Sequence, residues 1–168
     1  MGTLLRIVVN DGGAARGRVL VVEDDPATSR FLAKALERAG FTVTEAGDAE
    51  LAQAELAGDG WDAVLVDVNL PGASGFDLVR QLRTDRPYLP VALMTADASM
   101  DVAVQALRYD VDDFLPKPID PHTLVTQVGR LVKRRGAQRR SSHRVLGIGA
   151  HPDDVEIGVG GILLGHHH

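Results

Sequence analysis

"VLVVEDDP", residues 19–26, sets four consecutive apolar residues directly against three carboxylates. An unbroken apolar run of that length fits a strand covered on both faces, as strands of a parallel sheet are. "AVLVDVNLPG", residues 63–72, repeats the arrangement with Asp67 at the end of its run. In open parallel sheets, ligands sit outside the carboxyl ends of the strands. The two stretches therefore place Glu23, Asp24, Asp25 and Asp67 where a ligand is expected.

Working outward, "FTVTEA" (41–46), "VALMTA" (91–96) and "DFLP" (113–116) also read as strands. Helical stripes lie between them and after the last. Phe31, Leu32, Ala35, Leu36 and Ala39 form the first, closed by Gly40 at the usual left-handed cap position. Ala49, Ala52 and Leu56 form the second, and Phe76, Val79 and Leu82 the third. Val102, Ala103, Ala106 and Leu107 give a fourth, and Leu124, Val128, Leu131 and Val132 a fifth that begins at Pro121. Five strand–helix units predict an α/β fold, a doubly wound five-stranded parallel sheet with helices on both faces. Residues 1–17 read as a flexible lead-in, with "RIVV" as an alternative edge strand, and 137–143 as a polar linker.

The composition excludes several classes. Hydrophobic residues at 45% and charged residues at 24% describe a soluble globular chain. Cysteine is absent, so disulfide and thiol chemistry are excluded. The N-terminal "LLRIVV" is too short for a signal peptide, and no apolar run approaches the ~20 residues that span a membrane. A cytoplasmic location without membrane contact is expected. The net charge of −5 conceals an asymmetry: residues 1–129 hold 20 acids against 11 bases, whereas 130–144 hold 7 bases and no acid. The basic run is read as a helix C-terminus and solvated linker rather than a nucleic-acid contact, since cations are favoured where the helix dipole is negative.

Carboxylates gathered at neighbouring strand ends raise one another's pKa values unless a cation neutralises them. Hard oxygen donors with room for water suit Mg²⁺. Thr95 and the small Ala96 close the fourth strand, and Lys117 stands between two prolines after the fifth. A hydroxyl, an ammonium and a divalent ion are what a phosphoryl group on Asp67 needs for charge neutralisation.

"VLVVEDDP", "VDVNLPGASG", "LMTA" and "FLPKP", in this order and spacing, resemble the receiver domain of bacterial two-component response regulators over residues 18–136. The resemblance implies a flavodoxin-like sheet of strand order 2-1-3-4-5 and a phosphoacceptor at Asp67. It implies Mg²⁺ held by Asp24, Asp67 and the main-chain carbonyl of Asn69, with Glu23 acting through water. Thr95 becomes the switch hydroxyl, Lys117 the phosphate partner, and Phe114 the aromatic switch, a position that equally suits the core. Glu23 stands where many members have aspartate, Ala73 where methionine is frequent, and Asp110 where a glycine often ends the fourth helix. Asp tolerates a left-handed backbone better than most residues.

"AHPDDVEIGVGG", residues 150–161, resembles the N-terminal signature of the PIG-L/LmbE-like deacetylases. By that resemblance His151 and Asp154 are zinc ligands and Asp153 a general base, in a domain whose third ligand lies further along the family's chain. Residues 144–168 are thus expected to be an incomplete first βα unit, a strand followed by a helix, with Zn²⁺ relevant only to a complete deacetylase.

The leading functional reading is a signalling switch rather than an enzyme. A histidine kinase or phosphotransfer protein donates a phosphoryl group to Asp67, and the face of the fourth helix, fifth strand and fifth helix changes partners, with homodimerisation as one outcome. The alternatives are a regulatory part of a deacetylase and a binding module that is never phosphorylated.

Overall fold

A computed structural model describes residues 15–97, 108–142, 157–159 and 162–164. It divides into two units, Met1–Arg135 and Gly136–His168. In the first, β1 (Arg18–Val22), β2 (Thr42–Ala46), β3 (Ala63–Asp67), β4 (Val91–Thr95) and β5 (Asp113–Pro116) form a parallel sheet in the order β2-β1-β3-β4-β5. This is the expected fold. Every residue of β3 and β4 is buried, which is why both read as unbroken apolar runs. The edge strand β2 can alternate Thr and Val because it has a sheet neighbour on one side only.

Side chains of successive strand residues point to opposite faces, so each strand supplies two cores. Leu20, Val22, Val64 and Val66 meet Ala52 and Leu56 of α2 (Ala49–Leu56) and Phe76 and Val79 of α3 (Gly75–Asp85). Val19, Val21, Ala63 and Leu65 meet Leu32 and Leu36 of α1 (Pro26–Arg38), together with Leu124 and Val128 of a long helix, Pro121–Ser142.

The helix ends are fixed by local chemistry. Asp25, Asp48 and Ser74 cap α1, α2 and α3, each accepting a hydrogen bond from a first-turn N–H. Gly40 ends α1 with φ 89°; its N–H donates to Glu37 O and that of Phe41 to Leu36 O, the paired closure of a left-handed cap. Asp110 does adopt the left-handed region, at φ 53°.

Several expectations need correction. Phe31 is 48% exposed; Leu32 and Leu36 of the expected stripe are buried, with Ser29 and Ala33 beside them. Burial of Ser29 is tolerable because its hydroxyl donates to Glu45 Oε2 at 2.7 Å. The lead-in is part of the fold by Arg16, whose N–H donates to Gly40 O and whose guanidinium lies 4.9 Å from the Phe41 ring centre. The helix that starts at Pro121 runs to Ser142, through most of the stretch expected as a linker. Ala137, Gln138, Arg139 and Arg140 are strong helix formers, and Gly136 just before them does not end a helix already formed.

In the second unit, Ile157–Val159 and Ile162–Leu164 are strands paired antiparallel, where a helix was expected. Two glycines separate them in sequence, and Gly-Gly disfavours a helix interior while suiting a hairpin connection. Residues 1–14, the expected fourth helix stripe, the strand expected near 144–150, and His151, Asp153 and Asp154 lie outside the described residues. No helix among the described residues is long and apolar enough to cross a membrane.

Candidate functional site

The parallel sheet brings four strand ends to one edge. Glu23 follows β1, Asp67 is the last residue of β3, Thr95 the last of β4, and Lys117 follows β5. Because β4 separates β3 from β5, a side chain from beyond β5 must cross the end of β4 to reach Asp67. Lys117 does so. Its Nζ donates to Asp67 Oδ2 at 2.8 Å and to Glu23 Oε2 at 2.6 Å.

Glu23 and Asp67 are buried, at 3% and 5% exposure, whereas Asp24 is open to solvent. One ligand oxygen from each of Glu23, Asp24 and Asp67 lies within 4.8 Å of the others. Burial pushes the Glu23 carboxyl above its ordinary range, the Lys117 hydrogen bond and charge restrain it, and Asp67 pushes it further up. For Lys117, burial alone would lower the ammonium's pKa, but hydrogen bonds and charge from Asp67 and Glu23 outweigh it, so the net direction is upward. One ammonium facing three carboxylates leaves a surplus of negative charge on hard oxygen donors. That donor set fits Mg²⁺, a cation that keeps several waters and takes one or two carboxylates.

Asp25 faces elsewhere: its carboxylate accepts from Thr28 N at 2.8 Å as the α1 cap, and that bonding holds its pKa below the ordinary value. Asn69 is exposed, and its N–H points back to Asp67 Oδ1 at 3.4 Å. Thr95 is fully buried; its hydroxyl donates to Asp97 O at 3.2 Å and accepts from Asp97 N at 3.0 Å, which makes a closed turn around the exposed Ala96. Phe114 is half-buried against the core that includes Leu93, its register partner on β4.

The loop between β3 and α3 contains a residue that sequence reasoning passed over. Gly75 N–H donates to Val68 O at 2.9 Å, and Asn69 and Ser74 form an antiparallel bridge, so the loop folds back over Asp67. A Cβ on Gly75 would stand 2.1 Å from Asp67 O. The signal available in the sequence was a poor helix former placed at the first helical position after the Ser74 cap.

Residues 19–129 match the response regulator receiver domain family. The chain is 39% identical over 119 residues to the transcriptional regulatory protein TcrA of Mycobacterium tuberculosis, covering 71% of this chain and 47% of that one. It is 37% identical over 125 residues to the DNA-binding transcriptional regulator NtrC of Salmonella typhimurium, covering 74% and 27%. The chain thus spans about half or less of the length of these relatives. Among solved structures, a CheY-like receiver domain protein from Methanospirillum hungatei superposes with a TM-score of 0.69 at 25% identity, over 73% of this chain and 98% of that one. The Francisella response regulator 1452 receiver domain gives 0.67 at 29%, over 70% and 98%. Strand order, the acidic edge and the family match agree: this chain belongs to the response regulator receiver domain family of two-component signalling.

Proposed function

We propose that Asp67 is the phosphoacceptor of this receiver and that Glu23, Asp24, Thr95 and Lys117 serve the transfer. The observation that carries the reading is the buried Asp67 carboxylate at the mouth of the sheet, bonded to Lys117 and flanked by two further acids. An Asp67 carboxylate oxygen attacks phosphorus, a P–O bond forms, and the bond from phosphorus to the donor breaks, with the electron pair leaving on the donor. For a phosphohistidine donor, the bond that breaks is P–N. Lys117 balances charge on the acceptor and on the arriving phosphoryl oxygens. Carboxylates of Asp24 and Asp67 and the Asn69 main-chain carbonyl would hold Mg²⁺, with Glu23 acting through water. The ion supplies charge neutralisation at the phosphoryl oxygens when bound.

Thr95 supports a switch because, among the described residues, its hydroxyl pairs with the Asp97 backbone, a pairing that rotation about one side-chain bond exchanges for a phosphoryl oxygen. Phe114 is half-buried and can pack further inward as Thr95 moves. The donor is a histidine kinase or phosphotransfer protein, as for receiver domains in general, and the output surface is the face that includes β5 and the long helix, with homodimerisation as one form of output. In this reading residues 18–136 act through protein partners, without direct nucleic-acid contact. For residues 144–168, the zinc deacetylase reading stands on sequence resemblance alone.

The test is intact mass after incubation with acetyl phosphate and Mg²⁺. One phosphoryl group should be added to the wild type and none to Asp67→Asn, and chelation with EDTA should prevent addition. Undiminished labelling of Asp67→Asn overturns the assignment.

A further inference from the structure

We infer that Gly75 is a positioning residue for the metal-binding side of the site, because its missing side chain lets α3 seat directly on the Asp67 peptide. The inference rests on the reading of Asp67 as a phosphoacceptor assisted by Mg²⁺. Gly75 does not have a positive φ, so its backbone is one that any residue adopts. What it provides is room. A Cβ there would lie 2.1 Å from Asp67 O, 2.9 Å from Asp67 C and 3.0 Å from Val68 Cα.

All three obstructing atoms are main chain, so no side-chain rotation relieves the overlap. Either α3 lifts away or the Asp67–Val68 peptide turns. α3 is held by Phe76, Leu78, Val79 and Leu82, all buried, which resists the first outcome. The Asp67–Val68 peptide is tied to β4 by the Val68 N–H, which donates to Met94 O at 2.9 Å, and it adjoins both groups that the proposed function needs. Asp67 bears the carboxylate, and Asn69, which begins the bridge to Ser74, offers the main-chain carbonyl. The Gly75 N–H to Val68 O bond joins these two residues to the first turn of α3. The backbone approach at Gly75 therefore sets where the carboxylate and the carbonyl stand relative to each other. A displacement of about 1 Å at such a site is enough to cost on the order of a hundredfold in rate.

The experiment titrates Mg²⁺ in acetyl phosphate labelling of wild type, Gly75→Ala and Leu82→Ala, with thermal unfolding of each. Leu82 is buried at the far end of α3 and serves as a purely structural control. Gly75→Ala should raise the Mg²⁺ concentration for half-maximal labelling by about tenfold or more, and lower the saturated rate. Leu82→Ala should lower the melting temperature while the half-maximal concentration stays at the wild-type value. A folded Gly75→Ala with wild-type Mg²⁺ dependence overturns the inference, as does an equal shift in both variants.

Should Gly75→Ala fail to fold, amide exchange in the wild type decides. Mg²⁺ should slow exchange at the Gly75 N–H, which closes the loop on Val68 O, and an unchanged rate overturns the inference. Wild type that takes up no phosphoryl group at any Mg²⁺ concentration defeats the underlying phosphoacceptor reading instead.

Discussion

Lys117 Nζ sits 2.8 Å from Asp67 Oδ2, a contact between residues 50 apart that crosses the end of β4. The same ammonium reaches Glu23, so one cation holds two buried carboxylates while Asp24 adds a third at the rim. Like charges packed this way cost folding free energy until a divalent cation joins them. Asp67→Asn should therefore raise the melting temperature of the metal-free protein, and Mg²⁺ should raise that of the wild type more than that of the variant. Calorimetry with and without EDTA checks both, and a lower melting temperature for metal-free Asp67→Asn would contradict the charge argument.

Asp24 and Asp25 are adjacent but engaged differently. Asp24 contributes an oxygen to the carboxylate cluster, and Asp25 caps α1 through Thr28. Asp24→Ala should weaken Mg²⁺ binding by about tenfold or more, consistent with loss of a charged ligand. Asp25→Ala should leave Mg²⁺ binding nearly unchanged and lower the melting temperature instead. Titration calorimetry and thermal unfolding separate the two effects; equal losses of Mg²⁺ affinity would mean the acidic pair is misassigned.

Acid should loosen the long helix at its start. Asp120 Oδ1 accepts from Thr123 N at 2.9 Å, and bonding to Thr123 lowers its pKa from the ordinary 3.8. A depressed carboxyl stabilises the fold above its unfolded-state value, and that stabilisation is lost as pH falls through the folded-state value. Asn keeps an acceptor at the cap without titrating in this range. The melting temperature of wild type relative to Asp120→Asn should thus be steady above pH 3.8 and fall below it. A difference that does not change between about pH 6 and about pH 2 would refute the linkage.

Burial ranks two apolar side chains in the opposite order from size. Leu65 is fully buried on β3, while Phe31 is 48% exposed on α1. Leu65→Ala should cost about 2–5 kcal/mol of stability, the range for a buried leucine that leaves a cavity. Phe31→Ala should fall within about 0.5 kcal/mol, as for surface positions without special contacts. Urea denaturation of both variants measures the contrast.

The chain should show no zinc-dependent turnover of an N-acetylated amino sugar. A catalytic zinc ordinarily takes about three protein ligands, and the "AHPDD" stretch offers His151 and Asp154. The comparison is between the whole chain and a version ending at Gly136, because His166–His168 could capture zinc without forming a catalytic centre. Turnover that disappears with His151→Ala would reverse this expectation.

Much of the fold was determined by local pattern. Unbroken apolar runs marked the buried strands, and the carboxylates that follow them marked the ligand edge, because a parallel sheet puts all its strand ends on one side. Gly40 was legible for the same reason: a left-handed cap is a local requirement that one residue type meets best. Tertiary structure decided the rest. Which face α1 buries depended on Glu45, across from Ser29 on β2, making a polar residue acceptable inside and leaving Phe31 outside. That Lys117 bridges Glu23 as well as Asp67 depended on three strand ends meeting in space. The need for Gly75 to be glycine came from a peptide eight residues earlier folding back against it, and no pattern of apolar and polar residues records such an approach. Periodicity reports how a segment faces its surroundings; only the assembled chain fixes which atoms those surroundings contain.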